Sequence, residues 1–132
     1  MNKMEIPRGK WLTGALLERR GYSCLLNETG EQCCLGFLAT HLGAANESIL
    51  EVPAPSDIMG YIDFPDIMFD KSSSFISNYA DFKFGGFRNQ DWESVLIDIN
   101  DDKNIDDETR ESWIGAAFKY LLGIEVEFIG SY

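Results

Sequence analysis

The chain has one histidine and three cysteines, and all four lie between Cys24 and His41. Any cysteine or metal chemistry is therefore confined to that stretch. An odd number of cysteines, two of them adjacent, makes a poor disulfide framework and predicts reduced thiols in a cytoplasmic protein. Apolar runs are short. None approaches the roughly 18–20 residues of a membrane span, and residues 1–7 lack the apolar core of an export signal. No glycine-rich phosphate loop occurs, Gly85-Gly86 being an isolated pair, and there is no internal repeat or long low-complexity linker. Basic residues are scarce: 11 against 22 acidic ones, for a net charge of −11 and a pI near 4.3. So acidic a chain repels nucleic acid and anionic membrane and attracts basic partners. Neither direct nucleic-acid binding nor membrane binding is expected.

What is present is ordinary in amount and uneven in arrangement. At 132 residues, with 45% apolar and 25% charged residues, the chain suits one globular domain over 1–132, large enough to bury a core. Residues 1–20 hold Lys3, Arg8, Lys10, Arg19 and Arg20 against Glu5 and Glu18, a local balance of +3. The remaining 112 residues then carry −14.

The stretch from Gln32 to Gly43 organises the rest. Cys34, Leu35, Leu38 and Leu42 recur at helical intervals, and Gly43 stands where a left-handed cap wants a residue without a Cβ. Cys33, Cys34, Gly36 and Ala39 are small, so this helix can press close against a neighbour. The expected neighbour is a first helix with Pro7 in its opening turn, Trp11, Leu12, Ala15 and Leu16 on its apolar stripe, Arg19 and Arg20 near its end, and Gly21 as its stop. Between the two helices, 22–26 and 31–33 read as a small hairpin about the turn Asn27-Glu28-Thr29-Gly30.

Further along, 49–52 and 58–64 read as strands ended by prolines, and 71–74 as a loop. Phe75, Tyr79, Phe82, Phe84 and Phe87 form an aromatic stretch without a clean period, read as core in preference to a binding surface. Trp92, Val95, Leu96 and Ile99 fit a helical stripe capped by Asp91, although Val95, Ile97 and Ile99 also alternate like a strand. After a polar turn at 100–104, Asp106, Asp107 and Glu108 open a last helix with Trp113, Ile114, Ala117, Phe118, Leu121 and Leu122 on its apolar side. Gly123 closes that helix, and 124–128 alternate as a strand with an acidic outer face. The predicted fold is α+β: a compact single domain of about four helices with a small antiparallel sheet.

Three separated stretches carry a resemblance. Trp11-Leu12-Thr13-Gly14-Ala15-Leu16, then Gly30, then Cys33-Cys34-Leu35-Gly36-Phe37-Leu38 with Gly43, resemble a recurrent group of small phage and prophage accessory proteins. That group shares a tryptophan-led first helix and a Cys-Cys-Leu-Gly helix. Leu96-Ile97-Asp98-Ile99-Asn100-Asp101 is similar to the Leu-x-x-Leu-Asn-Asp segment that many of its members carry before a last helix. The resemblance covers about 8–43 and 92–122 and implies a phage origin more than an activity. Where the group often has a third cysteine in the central helix, this chain has Thr40-His41.

No catalytic set assembles from these residues. Cys24, Cys33, Cys34 and His41 make a formal zinc set, but adjacent cysteines diverge on a helix or strand, so no metal and no cofactor is expected. The helix dipole at Cys34 favours a thiolate. His41, seven residues on and about 10 Å away by helical rise, is too distant to act as its base. Free cysteines usually behave as small buried hydrophobes, and the protein is read as non-enzymatic. The carboxylates from Asp101 to Glu111 do not match a calcium loop, lacking its central glycine.

Two functions remain. The first is an acidic phage-type inhibitor of a host defence protein. Asp98, Asp101, Asp102, Asp106, Asp107 and Glu108 would face a basic groove on that partner and mimic nucleic-acid phosphates. The alternative is a small-molecule binder that sequesters a nucleotide signal. Arg8, Lys10, Arg19 and Arg20 would hold phosphate while Trp11, Tyr22 or the aromatics from Phe75 to Phe87 stack on the base.

Overall fold

The computed structural model describes residues 2–13, 24–55 and 92–132. Period-two alternation opens the chain: in β1 (Lys3–Pro7) Met4 and Ile6 are buried, whereas Lys3 and Glu5 face solvent. A single 3-10 turn at Arg8–Lys10 follows, and Trp11 then runs extended and pairs with Gln32. The expected start of the first helix is corrected here, since Pro7 ends a strand and Trp11 and Leu12 are not helical. Pairing is the reason. Leu12 N–H donates to the Gln32 carbonyl at 2.8 Å and Gln32 N–H to that of Lys10 at 2.9 Å, bonds that a helix would have made within itself. Ala15, Leu16, Arg19, Arg20, Gly21 and Tyr22 lie outside the described residues.

The turn at 27–30 forms as expected. Asn27 N–H donates to the Glu31 carbonyl at 2.8 Å, Gly30 takes a positive φ of 84°, and Cys33 N–H donates to Cys24 at 3.0 Å. Among the described residues its arms, 24–26 and 31–33, are not strands of a sheet. Leu26 and Gln32 each make one isolated parallel bridge, to Leu50 and Trp11. The central helix α1 (Cys34–His41) buries six consecutive residues, from Cys34 to Ala39, and Gly43 follows at φ 99°. Among the described residues its close neighbour at Gly36 is the backbone of Leu25. A Cβ at Gly36 would stand 1.9 Å from the Leu25 carbonyl oxygen, so only glycine admits this approach.

The expected strand at 49–52 is also corrected. A short helix α2 (Asn46–Ile49) buries Ile49, and the chain then turns through Glu51 at φ 59°. That turn aims Glu51 N–H at the Leu26 carbonyl (2.6 Å) and the Val52 carbonyl at Leu25 N–H (2.8 Å). The expectations for 58–64, 71–74 and 75–87, and Asp91 as a cap, fall outside the described residues.

Helical spacing prevails over alternation in α3 (Trp92–Asp101), which buries Trp92, Val95, Leu96 and Ile99. Asp106 caps α4 (Asp107–Leu122), accepting from Thr109 N–H at 2.7 Å, and Gly123 ends it in the left-handed conformation. Ile114, Ala117, Phe118 and Leu121 face the core from α4. β2 (Glu125–Ile129) then pairs with β1 in the register Lys3 to Glu125 and Ile6 to Phe128.

The architecture is α+β, with four α-helices and a two-stranded sheet among the described residues. The sheet is parallel, which corrects the antiparallel expectation. Hairpin-linked neighbours must run antiparallel. These two strands stand at opposite ends of the described chain with helices between them, and that long connection permits the parallel arrangement. One continuous apolar cluster joins β1, α1, α3, α4 and the 24–26 segment. No helix among the described residues is long and apolar enough to cross a membrane.

Candidate functional site

The acidic candidates gather where α3 hands over to α4. Asp98, Asp101 and Asp102 are half-buried at the end of α3, and Asp106, Asp107 and Glu108 are exposed at the start of α4. Several also hold local structure. Asp102 Oδ1 accepts from Asn104 N–H at 2.8 Å, and Asp101 Oδ1 accepts from Asn100 Nδ2 at 2.9 Å. Asp106 is the α4 cap, and Asp107 pairs with Arg110 at 2.8 Å.

Arg110 is 2% exposed, so it does not stand among the surface charges. Its guanidinium reaches under the turn and donates to the carbonyls of Ile99 and Ile105 at 3.3 Å, and also to that of Asp102. These acceptors are the unsatisfied carbonyls at and beyond the end of α3, and the positive charge also suits the negative end of that helix. Burial, and then the charges of Asp101 and Asp102, push the Asp98 carboxyl above its ordinary range. Asp98, Asp101 and Asp102 are thus close enough at the end of α3 for their charges to act on one another.

At the opposite end of the sequence, two groups of the alternative ligand site, Arg8 and Trp11, are engaged by the protein itself, and Arg19, Arg20 and Tyr22 lie outside the described residues. Arg8 makes a two-pronged pair with Glu111, 2.8 Å through Nε and 2.8 Å through Nη2, and its Nη1 donates to the Gly130 carbonyl at 2.9 Å. Tyr132 O–H also donates to Glu111. The Arg8 hydrogen bonds are the main cause that lowers the Glu111 carboxyl below its ordinary range, against the opposing effect of burial. The Trp11 ring is fully buried, stacked at 5.2 Å on Phe128 and at 6.2 Å on Tyr132. Lys10 is exposed. Neither a free guanidinium at Arg8 nor an open ring at Trp11 is available in this arrangement.

Asn100 is the residue that sequence reasoning missed. Fully buried, it accepts at Oδ1 from Trp11 Nε1 (2.8 Å) and Cys34 N–H (3.0 Å) and donates from Nδ2 to the Leu12 carbonyl (2.7 Å). One amide thus joins the 11–12 segment, the first turn of α1 and the end of α3. A signal was present, because Asn100 lies four residues beyond Leu96, a polar side chain on an apolar row. Trp11, Cys34 and Asn100, one from each stretch that carries the resemblance, meet at this joint. Packing therefore accounts for their combination.

The thiols are enclosed. Cys24, Cys33 and Cys34 are buried and outside any disulfide. Burial pushes the Cys34 thiol well above its ordinary range, and its Sγ lies 3.8 Å from the Leu96 carbonyl. The expected dipole effect on Cys34 is overridden, because desolvation of a thiolate costs more and Asn100 already takes the first helical N–H. His41 is exposed. Among the described residues no group of three or more His, Cys, Asp or Glu is placed to hold a metal ion.

No family model matches the chain, and no curated protein or solved structure matches it either.

Proposed function

We propose that this protein is a non-enzymatic, acidic inhibitor of phage origin that binds a host defence protein in the bacterial cytoplasm. Its mechanism is electrostatic. Asp98, Asp101, Asp102, Asp106, Asp107 and Glu108 meet a basic groove on the partner and take the place of nucleic-acid phosphates there. The observation that carries the reading is the gathering of Asp98, Asp101, Asp102, Asp106, Asp107 and Glu108, half-buried or exposed, where α3 hands over to α4. A net charge of −11 adds long-range attraction to any basic surface. The origin is supported by the resemblance to phage accessory proteins.

The nucleotide-binding alternative is less well supported, since Arg8 is paired with Glu111 and Trp11 is buried.

The test uses substitutions that leave the cap and the Arg110 pair intact: Asp98→Asn, Asp101→Asn and Glu108→Gln together. A partner is captured from a bacterial host, and its association rate is measured from low to high salt. The triple variant should associate more slowly at low salt and converge with the wild type as screening shortens the range of the field. An unchanged rate and unchanged salt dependence would exclude the acidic face as the binding surface.

A further inference from the structure

We infer that β2 together with residues 130–132 is a detachable strand, and that the place it occupies can be filled by the same segment of a second copy of this chain. The two strands of the sheet are unequal. β1 buries Met4 and Ile6, whereas no residue of β2 is buried: Glu125 and Glu127 are exposed, and Val126, Phe128 and Ile129 are half-buried. Among the described residues two exposed ion pairs flank the strand, Lys3 with Glu127 at 2.6 Å and Lys119 with Glu125 at 3.1 Å. Such surface pairs contribute little. A parallel ladder is also slightly weaker per residue than an antiparallel one.

The far end is fastened by a clasp. Gly130, at φ 74°, turns the chain back across β1, so that its carbonyl accepts from Arg8 and the Tyr132 ring stacks on Trp11. Tyr132 O–H reaches Glu111, and the Arg8 guanidinium lies 5.9 Å from the Tyr132 ring centre. At the near end Ile124 is buried in the apolar cluster and its N–H donates to the Phe118 carbonyl, so the strand parts from the core after Ile124.

Elements with little buried apolar surface open first, while the core stays folded. Opening uncovers one edge of β1, the face of Trp11 and the Arg8–Glu111 pair. The occupant that complements all three is known from the structure, because it is the chain's own 125–132 segment. A second copy offers identical groups in the same register, so exchange replaces every contact it breaks and closes as a two-fold dimer.

A fluorescent peptide of residues 125–132 added to the full chain tests this. Anisotropy should rise and saturate. Full chain carrying Tyr132→Ala should bind the wild-type peptide at least about tenfold more tightly, because its own segment competes less well. The peptide carrying Tyr132→Ala should bind the wild-type chain correspondingly less well. Amide exchange at 125–129 should be faster than in α1. Absent anisotropy change in both chains, equal binding of both peptides, or exchange at 125–129 as slow as in α1 would each overturn the inference.

Discussion

Replacing Asn100 by alanine removes one buried amide that joins three parts of the chain. Trp11 Nε1–H, Cys34 N–H and the Leu12 carbonyl each lose that partner. A buried polar group stripped of its partner costs about 1–3 kcal/mol, so three such losses give about 3–9 kcal/mol before relaxation. Partial collapse of the small void brings the expected loss to roughly 3–5 kcal/mol. That is a large share of the 5–15 kcal/mol typical of a whole domain, on the order of half. Urea unfolding followed by far-ultraviolet circular dichroism measures it. Trp11→Phe supplies the second arm of a double-mutant cycle, since it removes the indole donor and keeps most of the buried ring. Trp11→Phe should cost more in the wild type than in Asn100→Ala, with a coupling of about 1 kcal/mol or more. A loss below about 1 kcal/mol for Asn100→Ala, or strict additivity of the pair, would refute the keystone role.

Gly36→Ala should unfold the protein or cost several kcal/mol, because its Cβ meets the Leu25 backbone at 1.9 Å. By contrast, Gly115→Ala meets nothing nearer than Phe128 at 3.9 Å and should raise stability by up to about 1 kcal/mol, as helix propensity predicts. Urea midpoints separate the two. Asp98→Asn should stabilise the protein at neutral pH, since a raised carboxyl pKa marks a native state that disfavours the charge. That gain should fade as pH falls toward the carboxyl's ordinary 3.8. Glu111→Gln has the opposite sign. The Glu111 carboxyl is lowered, so it stabilises above its ordinary 4.5, and the loss on substitution should disappear as acid protonates the wild type. Melting temperatures across the acid range read both. Native protein should react slowly with a thiol-specific disulfide reagent and quickly in urea, because all three cysteines are buried; rapid native reaction at one cysteine would contradict the enclosed reading.

Much of the local structure was legible because it depends on neighbouring residues alone. The apolar spacing and following glycine marked α1, Asp106 and Gly123 bounded α4, and Asn27 with Gly30 marked a turn, each through short-range geometry or capping. Net charge and the grouping of carboxylates between 98 and 108 were likewise properties of the sequence. Tertiary structure decided the rest. Trp11 and Leu12 lie extended because their partners, Gln32 and Asn100, are remote in sequence, and no local pattern announces such pairing. The parallel sheet follows from which distant strands meet, a choice made by the apolar cluster between them. Arg8 and Arg110 read alike as basic residues. One is tied to Glu111 and the other buried beneath the end of α3, because satisfying a charge depends on which carboxylates and carbonyls the fold brings within about 3 Å.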